Sequence, residues 1–144
     1  MNAMLTALTI LFFAASNTCF ALRSIGIPSK QEAKEMGIQI RATAAGPDAA
    51  WVELEFKPEG KLKDYNPECS SHVELEIRDG DKSLLSYAAL QEQHPAPGHV
   101  RVRFMANRAY LDKLILTIVV GSGDMVGGAY ELRVKEFVEL EKIR

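Results

Sequence analysis

The residue types that commonly bind a metal occur at a few positions in the middle of this sequence. Cys69 and His72 are separated by the spacing of half a zinc site, and His94 and His99 supply further imidazole nitrogens. Zinc takes about four N, S or O ligands. A second closely spaced pair is absent from the sequence, and solvated loop histidines are the simpler interpretation. The metal ligands are therefore left open.

Acidic residues in predicted turns are candidates for calcium. Asp79 and Asp81 flank Gly80, and Asp124 lies in a glycine-rich segment. Calcium takes six to eight oxygen ligands, which loops of a β-sandwich can supply. Asp-Gly is also a common hairpin turn. A calcium site and an ordinary turn are both consistent with this pattern.

Trp51, the one tryptophan, begins a predicted strand. It resembles the core tryptophan on an early strand of immunoglobulin-like and fibronectin-type sandwiches, although the immunoglobulin cysteine pair is absent. Alternatively, Trp51 packs at a sheet edge, or it is an exposed aromatic that contacts carbohydrate or peptide.

We find no motif for catalysis. Ser122 lies between two glycines but lacks the Gly-x-Ser-x-Gly spacing of a nucleophile elbow. Phosphate-binding and dinucleotide-binding glycine motifs are absent from the sequence. Glu53 and Glu55 alternate with apolar residues, which is typical of the solvated face of a strand. We therefore expect that the protein has neither catalytic residues nor a cofactor and that it is not an enzyme.

Apolar residues alternate with polar ones along most of the chain, which predicts β-strands. Seven segments carry this pattern or a short apolar run: 38–43, 51–56, 72–78, 83–90, 100–105, 114–120 and 130–135.

The run Leu114–Val120 is apolar on both faces except at Thr117, so we expect a central strand. Helical patterns of the length needed for a parallel α/β fold are absent. The sequence predicts an all-β, antiparallel β-sandwich of about seven strands with immunoglobulin/fibronectin-like or C2-like topology. Glu74 and Glu76 are expected to form cross-strand ion pairs with Arg101 and Arg103.

The N-terminus has the pattern of a signal peptide. Residues 1–22 carry no charged side chain, an apolar run spans 5–15, and Cys19-Phe20-Ala21 places small residues before a cut after Ala21. An uncleaved membrane anchor and a lipoprotein acylated on Cys19 are the alternatives. We therefore expect a secreted or periplasmic protein that contacts membrane only through an uncleaved signal or a lipid anchor.

The sequence divides into a signal peptide (1–21), a linker or short helix (22–36) and a β-sandwich domain (37–144). Ser29 and Glu32 have the spacing of a helix capping box. After cleavage Cys69 is the only cysteine, so the domain has no internal disulfide. The net charge of −2 gives no basic footprint for nucleic acid.

These patterns do not name a function. We expect an exported, non-enzymatic module that binds a protein partner or is structural. The alternative is a calcium- or carbohydrate-binding sandwich that uses the loop acids or Trp51.

Overall fold

The computed structural model describes residues 25–122 and 125–143, and these residues are mostly β-structure. The strands are β1 (Ile25–Gly26), β2 (Gln39–Ala44), β3 (Ala49–Phe56), β4 (His72–Asp79), β5 (Lys82–Ala89), β6 (Glu92–Gln93), β7 (Val100–Asn107), β8 (Leu114–Ser122) and β9 (Met125–Arg133). Two short α-helices, α1 (Lys30–Glu35) and α2 (Val134–Phe137), flank them. The signal-peptide prediction and Asp124 lie outside the described residues.

The strands form two sheets. One has five strands in the order β1-β9-β8-β4-β5, and the other has four in the order β2-β3-β7-β6. The short β1 pairs in parallel with β9, whereas the longer strands pair antiparallel. β8 is the third of five strands, and its residues from Leu114 to Gly121 are buried. This confirms the prediction of a central strand there.

Both sheets contribute to one hydrophobic core. In β3 the residues at alternate positions, Val52, Leu54 and Phe56, are fully or almost fully buried. Val73 of β4 and Leu116 of β8 join the same cluster from the five-stranded sheet. Alternation along each strand therefore turns one face of each sheet towards a common interior.

The segment expected to be a linker or short helix contributes to this core. Ser29 caps α1 by accepting a hydrogen bond from the Glu32 amide, and the Glu32 carboxylate accepts one from the Ser29 amide, as the capping box predicts. Ala33 of α1 is completely buried in the core cluster. Residues from Ile25 onwards thus pack with the sheets.

Nine strands are present in the described residues, where seven were predicted. β1 and β6 have two residues each, which is too short for a period to appear. Gly127 and Gly128 belong to β9, which begins at Met125, five residues before the predicted strand 130–135. The predicted strand through Lys135 instead ends at Arg133 and continues as α2.

The loop between β3 and β4 is tied to the end of β8. It holds two 3-10 turns, Gly60–Leu62 and Pro67–Cys69. The buried Ser71 hydroxyl accepts hydrogen bonds from the backbone amides of Asn66, at 2.8 Å, and Gly121, at 2.9 Å. A Cβ on Gly121 would lie 2.3 Å from the Cys69 carbonyl oxygen, so this close approach requires glycine.

Candidate functional site

Strand β5 lies at an open edge of the five-stranded sheet and carries three large exposed side chains that are apolar or aromatic. The turn at Gly80, with φ of 59°, reverses the chain from β4 into β5. Leu84, Leu85 and Tyr87 are 45%, 39% and 59% exposed. We call these three side chains the β5 surface.

The backbone of β5 is irregular. Its register with β4 shifts twice, between Leu75 and Ile77 and between Ile77 and Arg78. Tyr87 has φ of 47°, a left-handed conformation that costs a tyrosine about 1 kcal/mol. Bulges of this kind redirect side chains and blunt a sheet edge against strand addition. The β5 surface therefore offers side chains rather than a regular hydrogen-bonding ladder.

Charge is absent from this stretch of the chain. The nine residues from Ser83 to Gln91 contain no ionisable side chain except the Tyr87 phenol. The charged residues nearest in the sheet are on β4, where Glu74 pairs with Ala89 and Arg78 pairs with Ser83.

Trp51 lies on the outer face of the four-stranded sheet, on the opposite side of β3 from the core. Its cross-strand neighbours are Thr43 and Met105, and Met105 is 57% exposed. The Arg103 guanidinium carbon lies 4.4 Å from the indole ring centroid, in a cation–π contact. Trp51 thus differs from the core tryptophan that it was compared with.

The same outer face carries a row of ion pairs around Glu55. The Arg101 guanidinium donates to Glu55 at 3.0 and 3.3 Å, and His99 Nδ1 lies 3.3 Å from it. The hydrogen bond from Arg101 lowers the pKa of Glu55, and His99 lowers it further. Glu53 lies 3.9 Å from both Arg41 and Arg101.

The predicted pairing of Glu74 and Glu76 with Arg101 and Arg103 is wrong, because these residues lie in different sheets. Glu76 instead accepts two hydrogen bonds from Arg78, at 2.6 and 3.1 Å. Glu74 bonds His72 Nε2 at 2.8 Å.

The residues considered as zinc ligands are already engaged elsewhere. His72 Nδ1 contacts the Ser70 carbonyl oxygen at 2.9 Å, and Cys69 accepts a weak hydrogen bond from Asn66 at 3.4 Å. His94 Nδ1 contacts the His99 carbonyl oxygen at 3.2 Å. Within residues 25–122 and 125–143, no group of three or more His, Cys, Asp or Glu side chains is placed to hold a metal ion.

Asp79 and Asp81, which were considered as calcium ligands, also have other surroundings in the structure. Asp79 accepts a hydrogen bond from Lys113 at 3.1 Å, and this contact raises the pKa of Lys113. Asp81 lines a cleft near the same turn. The structure therefore gives Asp79 an ion-pair role.

A buried tyrosine that the sequence did not single out joins the β3–β4 loop to β6. The Tyr65 ring packs edge-on against Phe56, with ring centroids 4.9 Å apart. Its hydroxyl donates to Glu92, and burial together with this carboxylate raises the pKa of Tyr65. The other Glu92 oxygen is buried, 3.8 Å from His94 Nε2. The available signal was an aromatic residue in a loop that is polar at most of its other positions.

Among the described residues, no helix is long and apolar enough to cross a membrane. Neither a family model, nor a curated protein, nor a solved structure matches the chain.

Proposed function

We propose that this chain is an exported, non-catalytic β-sandwich module that binds a protein partner through the β5 surface. The observation that carries the proposal is the concentration of Leu84, Leu85 and Tyr87, all exposed, on one edge strand. Two sheets that share one core support the sandwich. The uncharged apolar N-terminus supports export.

Tyr87 is the proposed anchor of the contact. Tyrosine is enriched among the residues that dominate binding energy, because a rigid ring buries a large area at low entropic cost. The fold holds Tyr87 in a strained backbone conformation in which its side chain is exposed. Such strain persists when surrounding structure enforces it and is common at binding sites.

Site-directed photo-crosslinking in the producing cells tests the proposal. A photoreactive residue at Leu84 or Tyr87 is expected to give one discrete crosslinked protein. The same residue at exposed Lys57 serves as the matched control. Leu85→Lys, made in the Leu84 crosslinking chain, should abolish the product by placing a charge in the apolar contact. Equal products at Lys57, or none at either β5 position, would contradict the proposal.

Export is tested by the mass of the mature chain. Cleavage after Ala21 predicts a mature protein that begins at Leu22. A full-length chain in the membrane fraction would identify a membrane anchor, and a lipid-modified Cys19 at the N-terminus would identify a lipoprotein. A full-length chain in the cytoplasm would refute export.

Carbohydrate binding at Trp51 is the second candidate. The observation that favours it is the position of Trp51 on an outer sheet face beside the exposed Met105. Trp51 is the sole tryptophan, so its fluorescence reports on the site directly. Titration with a panel of neutral and acidic oligosaccharides should shift the emission, and Trp51→Phe should lose binding measured by calorimetry. Unchanged emission across the panel would reject this candidate.

A further inference from the structure

A cleft of about 290 Å³ lies at one end of the five-stranded sheet, beside the turn at Gly80 and Asp81 that leads from β4 into β5. β4 ends there, β8 begins there, and β9 passes there into α2. Four basic side chains line it: Arg78, Lys113, Arg133 and Lys135. We call it the basic cleft.

Two of these cations are neutralised by neighbouring carboxylates. Arg78 donates to both oxygens of Glu76 and lies 3.6 Å from Glu131. Lys113 donates to Asp79 at 3.1 Å. These contacts fix both side chains and use much of their hydrogen-bonding capacity.

The other two cations have donors to spare. Arg133 Nε lies 3.7 Å from Glu131, beyond hydrogen-bond distance, and its side chain is 43% exposed. Lys135 is exposed and has no hydrogen bond or ion pair to any residue that the structure describes. A guanidinium and an ammonium beside one recess match the needs of an oxyanion, which accepts several charge-assisted hydrogen bonds.

Two acidic residues, Asp81 and Asp112, also line the cleft. The lining itself therefore carries four cations and two carboxylates, and three of the cations also lie against Glu76, Asp79 or Glu131. These carboxylates weaken the attraction for an anion and limit the affinity, because they repel the negative charge of the anion. Removing the charge of one of these carboxylates should strengthen anion binding, whereas removing a cation should weaken it.

We propose that the basic cleft binds a tetrahedral oxyanion, the phosphate or sulfate group of a ligand, with Arg133 and Lys135 as its hydrogen-bond donors. The proposal is independent of the β5 surface and of any partner that binds there.

The test titrates the purified mature chain with inorganic phosphate and with inorganic sulfate, at an ionic strength held constant with chloride. A bound anion raises the Tm in proportion to the logarithm of its concentration once the site is saturated. Lys135→Gln should weaken binding about tenfold, the loss expected for one charge-assisted hydrogen bond. Arg133→Gln should do the same, while Asp81→Asn should strengthen binding.

Lys63→Gln is the matched control, because it removes one exposed cation outside the cleft. A shift that is equal in Lys63→Gln and Lys135→Gln would show general charge screening and overturn the proposal. The absence of any response to either anion would also overturn it. Lys135 lies exposed in the short α2, so its variant stays informative if Arg133→Gln unfolds the chain.

Two further arms distinguish the sources of the anionic group. One uses a sulfated oligosaccharide, and the other uses phosphatidylcholine vesicles with or without phosphatidylglycerol. Binding in either arm that Lys135→Gln weakens and Lys63→Gln leaves unchanged identifies the source and supports the cleft.

Discussion

Ser71 is a single side chain that joins three parts of the backbone. Its hydroxyl accepts from the amides of Asn66 and Gly121, and its own amide donates to the Asn66 carbonyl oxygen. The side chain is buried, so water cannot replace these contacts at low cost. Ser71 therefore fixes the end of the β3–β4 loop against β8.

Ser71→Ala is expected to lower the free energy of unfolding by about 2 kcal/mol, because two buried amide donors lose their acceptor. Urea unfolding followed by circular dichroism measures the change. Ser86→Ala, at an exposed serine of β5, should change the free energy by less than about 0.5 kcal/mol. Equal effects of the two substitutions would show that the Ser71 hydroxyl is not needed.

Tyr65 makes stability depend on alkaline pH. Its pKa is raised in the folded state, so the folded protein holds the phenolic proton more tightly than the unfolded chain, in which the pKa is about 10. The stabilisation is complete below pH 10 and is lost as the pH rises above it. Tyr65→Phe should cost about 1–2 kcal/mol at pH 8, because Glu92 loses its donor.

Urea unfolding of both proteins at pH 8 and at about pH 11 checks this expectation. The difference between wild type and Tyr65→Phe should shrink at the higher pH. A difference that stays constant would mean that the Tyr65 proton does not contribute.

The sequence contained part of this information at the residue scale. Trp51 occupies an odd-numbered position of the strand, whereas the apolar residues Val52 and Leu54 occupy even-numbered ones. This alternation already placed Trp51 on the face opposite the core. The resemblance to a core tryptophan rested on residue type and strand position instead. Tyr65 was missed because it lies between two predicted strands, in a stretch with Pro58, Gly60 and Asn66 that is typical of a loop. Composition does not show which loop side chain turns inward.

β5 combines an exposed apolar surface with a strained residue. Its register with β4 is irregular, and Tyr87 adopts the left-handed conformation that asparagine and glycine tolerate better. At this position the backbone strain lowers the stability of the fold, while the exposed Tyr87 ring is the proposed binding contact.

Tyr87→Asn should raise the free energy of unfolding by about 0.5–1 kcal/mol, because strain is relieved and little packing is lost from a side chain that is 59% exposed. Tyr110→Asn, at a partly exposed tyrosine in the Arg108–Lys113 turn, should give no gain. Chemical unfolding compares the two. A loss of stability in Tyr87→Asn would refute the strain.

At the element scale, alternation located the longer strands because one face of each is buried. β7 and β8 were predicted within two residues of their observed ends. The alternation of apolar and polar residues does not show which strands share a sheet. The predicted ion pair between Glu74 and Arg101 was wrong for this reason. β1 and β6 form by pairing with other strands, β1 with the distant β9 and β6 with β7. The local sequence of such short strands does not show this pairing.

The whole molecule begins its packed structure earlier than the alternating pattern suggests. β1 pairs with β9, and Ala33 of α1 is buried in the core that both sheets share. The segment before Gly37 therefore completes the domain.

A chain that begins at Gly37 should be less stable than one that begins at Leu22, by about 3 kcal/mol or more. This is the size of a large-to-small substitution in a core, since the buried Ala33 and the β1–β9 pairing are lost. Thermal and urea unfolding of both chains measure the difference. Equal stability would show that residues 22–36 are only a tether.

The parallel pairing of β1 with β9 also has a mechanical consequence. Tension applied to the chain before β1 and after β9 pulls two parallel neighbours in opposite directions along their length, so the hydrogen bonds between them are loaded together in shear. Antiparallel neighbours pulled from one end would instead open bond by bond. Within the part of the chain that the structure describes, this pairing involves Ile25 and Gly26 alone, so it would be the first contact to slip under load, while the longer antiparallel ladders stayed closed.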